Sequence, residues 1–486
     1  MAMPTLDLKN FVIKASMLVL LLMVLVGAAL HFYRLDKVPY GFHVDEMSGS
    51  VAVGCMATEG VDAHNVPHPL FADLHYGTPK PPTYLYPAMV WAKLFGYSAP
   101  SLRALSVTVH LCGIAGLFLL ARSLFGWRYA AVTAALAIFS PWAWVPSRVA
   151  FESLFAVTFL IWGLYVFLHP PRAWRMVLAA VLLAGAMYSY PPMRLQTPLM
   201  LLPLIIYSFK QYRLNWKFLV VFVVVFAILL FPLVQRTLNG QLQQRFDQIS
   251  IFSPQYLKAM GVNGSWMQLT EIFCYIYALH FHPDFLFFKG DPSYVHSTRH
   301  FGILSWMDMA ALAVGLVFLL MLLTKFGRKN NPLAVHRYWL VFLFVNIFIG
   351  VVPAALTNSE LPNSLRIIGS WPFMCLLSAF LLWQACERCW VLWLGVVLTT
   401  ALFAFSFLKV YFQVYPQESK GMFSYWTMEE AGQLKTEEDW FKFVLLYRYA
   451  DYNARYFLMQ YHGSTCTQSR AMWEGMRDFL ISRGKY

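Results

Sequence analysis

Long apolar runs alternate with short polar connections along this chain. The runs fall near 12–31, 104–121, 129–146, 153–170, 176–192, 195–209, 216–234, 307–324, 338–356, 367–386 and 389–408. Nearly all are long enough to cross a bilayer, which takes about 20 residues per helix; the run at 195–209 is the shortest. The pattern predicts an all-α polytopic membrane protein with about eleven spanning helices. The first run lacks a small-residue cleavage site and leads into a segment rich in candidate site residues. It is expected to be a retained anchor rather than a signal peptide.

Three segments are too long to be simple connections: 32–103, 235–306 and 409–486. The first holds Pro39, Pro67, Pro69, Pro79, Pro81 and Pro82 and two amphipathic stretches, 54–60 and 83–95, expected to form juxtamembrane helices on the membrane surface. Its aromatic, His and carboxylate content is not that of a disordered linker. The tail carries Trp426, Trp440, Tyr447 and Trp473 among its charges and is expected to form a small, mostly helical cap after a catalytic domain spanning 1–408. No internal repeat or inverted symmetry is visible, which weighs against a secondary transporter.

Composition sharpens this picture. The chain is 59% hydrophobic and 13% charged, against about 45–50% and 25% in soluble domains. Its net charge of +13 is scattered in small groups between apolar runs, without the continuous basic stripe that nucleic acid requires. If the runs alternate in direction, the connections 122–128, 172–175, 210–217, 325–337 and 387–388 share one side. They carry Arg122, Arg128, Arg172, Arg175, Lys210, Arg213, Lys217, Lys325, Arg328, Lys329, Arg337 and Arg388 with Glu387 as their only acid. The positive-inside rule then places the N-terminus in the cytoplasm and the three long segments outside. In a bacterium this means the inner membrane with a periplasmic active site. Cys55, Cys274 and Cys466 would face the oxidising side, where one disulfide is possible. Cys386 and Cys389 form a CxxC with no second ligand pair, and helix packing explains it better than zinc.

Candidate chemistry gathers outside. No Walker A, Rossmann glycine fingerprint or HExxH is present. Asp45 and Glu46, with His43 just before them, follow the first span. A carboxylate pair at the exit of an apolar helix is costly unless solvated or used. Asp45 is a candidate general base; equally, it could cap a helix that starts at Glu46. Lys80, held between Pro79 and Pro81, could present a point charge to a lipid phosphate or simply snorkel to the interface. Arg148 and Glu152 lie four apart on one helical face at a span end, as an ion pair or as part of a site. Arg366 opens the tenth run and could grip phosphate or anchor to headgroups. The segment with His282, Asp284, Lys289, Asp291, His296, Arg299 and His300 has no fixed metal-ligand spacing. It reads better as a polar loop closing over substrate than as a divalent-metal site.

The order of these features resembles the GT-C superfamily of glycosyltransferases, in the branch of protein O-mannosyltransferases and the ArnT-like lipid A aminoarabinose transferases. The likeness runs through Asp45-Glu46, Lys80-Pro81-Pro82 with aromatics to Tyr86, 94–98 with Arg103, 121–126, Ser140-Pro141-Trp142 and 147–150. It covers roughly residues 30–170 well, and more faintly the Gly290-Asp291 and Leu365-Arg366 segments. It implies a GT-C fold and transfer of a sugar from a polyprenyl phosphate to an acceptor hydroxyl on a glycan, lipid or protein. Asp45 would be the base, with Glu46 beside it. Glu152 stands where relatives often have Asp. Lys80, Arg366, Arg148, Arg299 and His300 are the candidates for the donor phosphate, and His43, Tyr84 and Asp291 for the surrounding substrate loop. The expected reaction is an inverting single displacement with no organic cofactor. The other readings are an oligosaccharide ligase using a diphosphate-linked donor and a lipid or solute transporter.

Overall fold

The computed structural model describes residues 5–39, 41, 43–62, 64–72, 79–212, 215–322, 331–419 and 422–423. Each apolar run read from the sequence is helical. After α1 (Thr5–Phe32), two shorter helices, α2 (Val44–Thr58) and α3 (Pro82–Phe95), occupy the first long segment. These are the expected juxtamembrane helices, with α2 starting ten residues earlier than the amphipathic pattern suggested. The bundle continues through α4 (Ala99–Phe125), α5 (Trp127–Ile138) and α6 (Pro141–Ser147). The last two are one apolar run bent by 58°, because Pro141 has no N–H to continue the ladder.

Next come α7 (Ser153–Phe167), α8 (Ala173–Ser189), α9 (Met193–Tyr212) and α10 (Trp216–Leu238). The second long segment holds α11 (Gln244–Ile249), α12 (Pro254–Met260) and α13 (Trp266–Leu279). The chain closes with α14 (Trp306–Met321), α15 (Pro332–Val335), α16 (Arg337–Ile349), α17 (Val352–Ala355), α18 (Trp371–Arg388), α19 (Leu392–Lys409) and α20 (Tyr415–Glu418). Among the described residues six helices are long and apolar enough to cross a membrane, or seven with the bent pair. Three further apolar helices, α7, α8 and α14, run 15, 17 and 16 residues. The 20-residue α9 is diluted by Arg194, Gln196, Lys210 and two prolines. The expected external domain at 409–486 lies almost entirely outside the described residues.

Close backbone approach holds the bundle together. Gly113 and Gly116 of α4 face Thr158 and Trp162 of α7, where an added Cβ would come within 2.7 and 2.9 Å. Gly163 of α7 faces Leu183 of α8 at 2.7 Å in the same sense. In lipid, dispersion across such small-residue contacts replaces the hydrophobic effect as the packing force. α18 is the central helix, with 94% of its apolar window buried.

The two ends of the bundle differ in chemistry. At one end Arg128 donates to Glu387 at 3.0 Å, and the Phe125 ring meets those of His336 and Trp383 at 5.2 and 5.6 Å. The opposite end collects the C-terminus of α1, the N-termini of α4 and α7, the C-terminus of α8 and the segment before α18. Nearly all the candidate site residues are found there.

Candidate functional site

The first turn of α2 separates the carboxylate pair. His43 is the N-cap, its Nδ1 accepting the Asp45 N–H at 3.2 Å, so Asp45 is not the cap that the sequence allowed. Successive side chains on a helix diverge by about 100°, and the two acids go to different environments. Asp45 is 58% exposed while Glu46 is fully enclosed.

Glu46 forms a two-pronged pair with buried Arg103 of α4, at 2.6 Å to Nε and 2.8 Å to Nη2. Its Oε1 also accepts the Ala150 N–H at 3.3 Å. Arg103 donates further to the carbonyls of Leu35, Pro39 and Gly41. The expected catalytic part for Glu46 is therefore corrected: its oxygens are spent fastening the 35–41 segment and α2 to α4. Arg148 is corrected in the same way. Its guanidinium donates to the carbonyls of Leu30, His31, Tyr33 and Val38 and to the Tyr411 hydroxyl, and it lies 5.3 and 5.2 Å from the Tyr411 and Phe412 ring centroids. A cation among the orphan carbonyls at the end of α1 completes that helix, and no donor is left for a phosphate.

Asp45 opens onto a recess instead. It is accessible, yet enough protein surrounds it to desolvate the carboxyl, which pushes its pKa up. His43, Lys80, Arg245 and His296 together outweigh that and hold it below the usual carboxylate range. Lys80 reaches across from the strand-like contact of 72 with 80, its Nζ donating to the Asp45 carbonyl at 3.2 Å. Tyr84 lies buried one turn into α3 against Phe155, and its hydroxyl has no partner in the interior. Both Lys80 and Tyr84 border Gly49 of α2, whose added Cβ would stand 3.5–3.6 Å from them. Glu152 begins α7, half-buried, and its charge reaches Tyr84 and Tyr190.

On the far wall, Arg366 donates to the Thr357 hydroxyl at 2.9 Å and the Ser359 hydroxyl at 3.0 Å, and also to the Ser359 carbonyl. Most of its fork is engaged in that turn, so it offers field more than a free bidentate grip. Asp291 is fully buried and is a structural anchor rather than an exposed loop contact. Arg299 and His300 turn elsewhere. Arg299 lies over the Tyr294 ring at 4.9 Å and lines a separate depression with His282 and Lys289, and His300 pairs with Glu418 at 2.8 Å. Neither makes a contact with the Asp45 recess. Among the described residues no group of three His, Cys, Asp or Glu could hold a metal. Cys55 is disulfide-bonded and Cys274 is free.

No protein-family model and no curated protein matches the sequence. Among solved structures the chain is similar to ArnT from Cupriavidus metallidurans bound to undecaprenyl phosphate, at 14% identity and a TM-score of 0.48, covering 95% of this chain and 75% of that one. It is also similar to the oligosaccharyltransferase AglB from Archaeoglobus fulgidus in complex with an inhibitory peptide and a dolichol-phosphate, at 15% identity and a TM-score of 0.45. There the match covers 92% of this chain and 60% of the other.

Two further residues stand at the recess: Arg245, which the sequence reading did not name, and His296, which it placed in the polar loop without a role of its own. Arg245, exposed on α11, has no protein partner among the described residues and acts on both Asp45 and Arg366. His296 acts on Asp45 and His43 through its charge. Neither sits in a motif, and only the folding of the second long segment over α2 brings them in. An apolar groove of about 390 Å³ begins beside Lys80, at Pro82, and runs between α8 and α10 past Tyr188 and Leu229. Val181 and Ile228 on its walls are 45% and 67% exposed.

Proposed function

We propose that the protein is a membrane glycosyltransferase that moves a sugar, hexosyl or pentosyl, from a polyprenyl phosphate to an acceptor hydroxyl on the outer face of the membrane. The observation that carries this reading is one accessible carboxylate, Asp45, recessed among Lys80, Arg245, His296 and Arg366 beside an apolar groove. A phosphate needs the cations, an isoprenoid needs the groove, and an acceptor hydroxyl needs the base. With its basic connections at the opposite end, the chain would sit in a bacterial inner membrane with a cytoplasmic N-terminus and a periplasmic site. The acceptor is a glycan, lipid or protein.

In the proposed step the acceptor oxygen attacks the anomeric carbon from the face opposite the phosphate. The C–O bond to phosphate breaks, its electron pair leaves on the phosphate, and the hydroxyl proton passes to Asp45. Configuration inverts. A carboxylate held below its usual pKa is a weak base, but the acceptor oxygen becomes acidic as its new bond forms, so a late proton transfer suffices. Lys80 and Arg245 stabilise charge that grows on the leaving phosphate, and Arg366 adds to the field from the far wall. Glu152 lines the sugar side, with Tyr84 buried behind it.

The groove supplies the first test. Val181→Trp and Ile228→Trp fill it from its exposed rim without entering the core. Displacing roughly two methylenes of isoprenoid costs about 1.6 kcal/mol, somewhat over tenfold in apparent KM. Turnover of a donor with a truncated prenyl chain should not change. Equal effects on long and short donors would remove the groove from the lipid path.

A second test is Lys80→Ala. Loss of one preorganised donor to the developing charge should lower kcat by about 10²-fold, and Lys80→Arg should recover only part of it, because a planar fork does not replace a point charge. Unchanged kcat in Lys80→Ala would assign the lysine to the α2 contact alone.

A further inference from the structure

Asp291 and His296 form a dyad that the mechanism above leaves idle. Asp291 is fully buried, and its Oδ1 accepts the Ser293 N–H at 2.8 Å. Its Oδ2 accepts the Ser364 N–H at 2.6 Å and hydroxyl at 2.9 Å, and meets His296 Nδ1 at 3.2 Å. This carboxylate is tied to two segments that are more than 70 residues apart in the chain. It fixes the imidazole ring through one nitrogen, as an orienting acid does in a catalytic relay. The other nitrogen, Nε2, has no hydrogen-bond partner among the described residues and is not sealed in the interior. The ring itself is only 8% exposed. Its charge reaches His43 and Asp45 on α2.

A ring locked by a buried acid through one nitrogen, close enough for its charge to act on Asp45 and His43, has the build of a proton or hydrogen-bond donor to substrate. We propose that His296 is a further catalytic residue, donating from Nε2 to an oxygen of the departing polyprenyl phosphate while Asp291 holds its ring. This rests on the transferase reading. No proton balance changes in the step, since Asp45 takes the acceptor proton and His296 stabilises the phosphate by a charge-assisted hydrogen bond.

The charges facing the ring are Asp291, Glu360 and Asp45 on one hand and Arg366 and His43 on the other. Burial pushes the imidazole pKa down, but the charge and hydrogen bond of Asp291, with Glu360 behind, raise it above its ordinary value against Arg366. A raised histidine holds its proton to higher pH than a free imidazole and gives it up as the medium turns basic, so the donor should weaken on the alkaline side.

The test uses the full chain in detergent or nanodiscs with His296→Asn and His296→Gln. The Asn amide can keep the contact to Asp291 and lacks the Nε2 position. The Gln amide can occupy the Nε2 position and loses the contact to Asp291. His296→Asn should fold as wild type and lose about 10²-fold in kcat, with Gln intermediate and the alkaline limb of the pH profile gone in both. Undecaprenyl phosphate itself is the second probe. Above the second ionisation of the lipid phosphate itself, near pH ~6, its affinity should fall with rising pH in the wild type, and that fall should be absent in both variants. Wild-type kcat and pH-dependent binding in His296→Asn would overturn the proposal and leave the transferase reading standing. Binding that depends on His296 in a protein that transfers no sugar would keep the phosphate contact and sink the transferase reading. A wild type that neither transfers nor binds the lipid would remove both.

Discussion

Asp45→Asn should lower sugar transfer by roughly 10²–10⁴-fold, the range for loss of a positioned general base, while the protein folds and binds donor as before. The substitution is nearly isosteric and falls on a side chain that is 58% exposed. Among the described residues the carboxylate takes part in no hydrogen bond that closes the fold, and its contact with His43 is 3.6 Å long. The capping bond at this position comes from the Asp45 backbone N–H, which the amide variant retains. Donor affinity should hold or rise slightly, since removing an anion leaves Lys80, Arg245 and His296 less neutralised for a phosphate. The pH dependence follows from the same surroundings. A carboxyl held below its usual range stays ionised as pH falls through about 3.9, its unperturbed value. Loss of activity between pH 7 and 5 should therefore not come from Asp45. Initial rates across pH, paired with thermal unfolding in detergent, check both points. A variant that folds and still turns over would take Asp45 out of the base role.

Glu46→Ala should have the opposite signature, a folding defect. It leaves Arg103 charged, buried and without its carboxylate, a change worth about 3–5 kcal/mol in comparable buried pairs. Against a typical net stability of about 5–15 kcal/mol, that is enough to deplete folded protein from the membrane. The double change Glu46→Leu with Arg103→Met removes both charges and should recover part of the loss. Recovery should stay incomplete, because the carbonyls of Leu35, Pro39 and Gly41 lose the donors that Arg103 supplies. Folded yield by fluorescence-detected size exclusion and the unfolding midpoint are the readouts. A Glu46→Gln protein of normal stability with no activity would return Glu46 to the chemistry.

These two neighbours show how far the sequence could be read. The apolar runs located the helices of the bundle, though not how many of them span, because a bilayer demands continuous apolar stretches and satisfied backbone groups, and both demands are local. The sequence marked Asp45 and Glu46 as a pair but could not divide them. Which acid meets α4 and which meets solvent depends on the rotation of α2, set by His43 as cap and by the tertiary fit of Arg103. Arg148 misled for a related reason. Its partners are carbonyls at the end of α1, and every residue type carries a carbonyl, so no pattern marks them. Arg299 and His300 lie in a polar segment whose fold sends them away from the recess, where their near neighbour His296 acts on Asp45 through its charge. Arg245 was out of reach, and His296 was legible only as one member of a polar loop, because both come from a segment without periodicity and approach Asp45 only by long-range packing. Lys80 and Tyr84 were legible because Pro81 and Pro82 fix the start of α3 locally.

Release of free polyprenyl phosphate from a panel of polyprenyl-phosphate sugars, by purified wild type beside Asp45→Asn and Lys80→Ala, bears most directly on the central claim. Rapid release by the wild type, with both variants folded and slowed by about 10²-fold or more, is the predicted result. The account is contradicted if the folded wild type releases no lipid phosphate from any donor with candidate acceptors present, or if both variants release it at the wild-type rate.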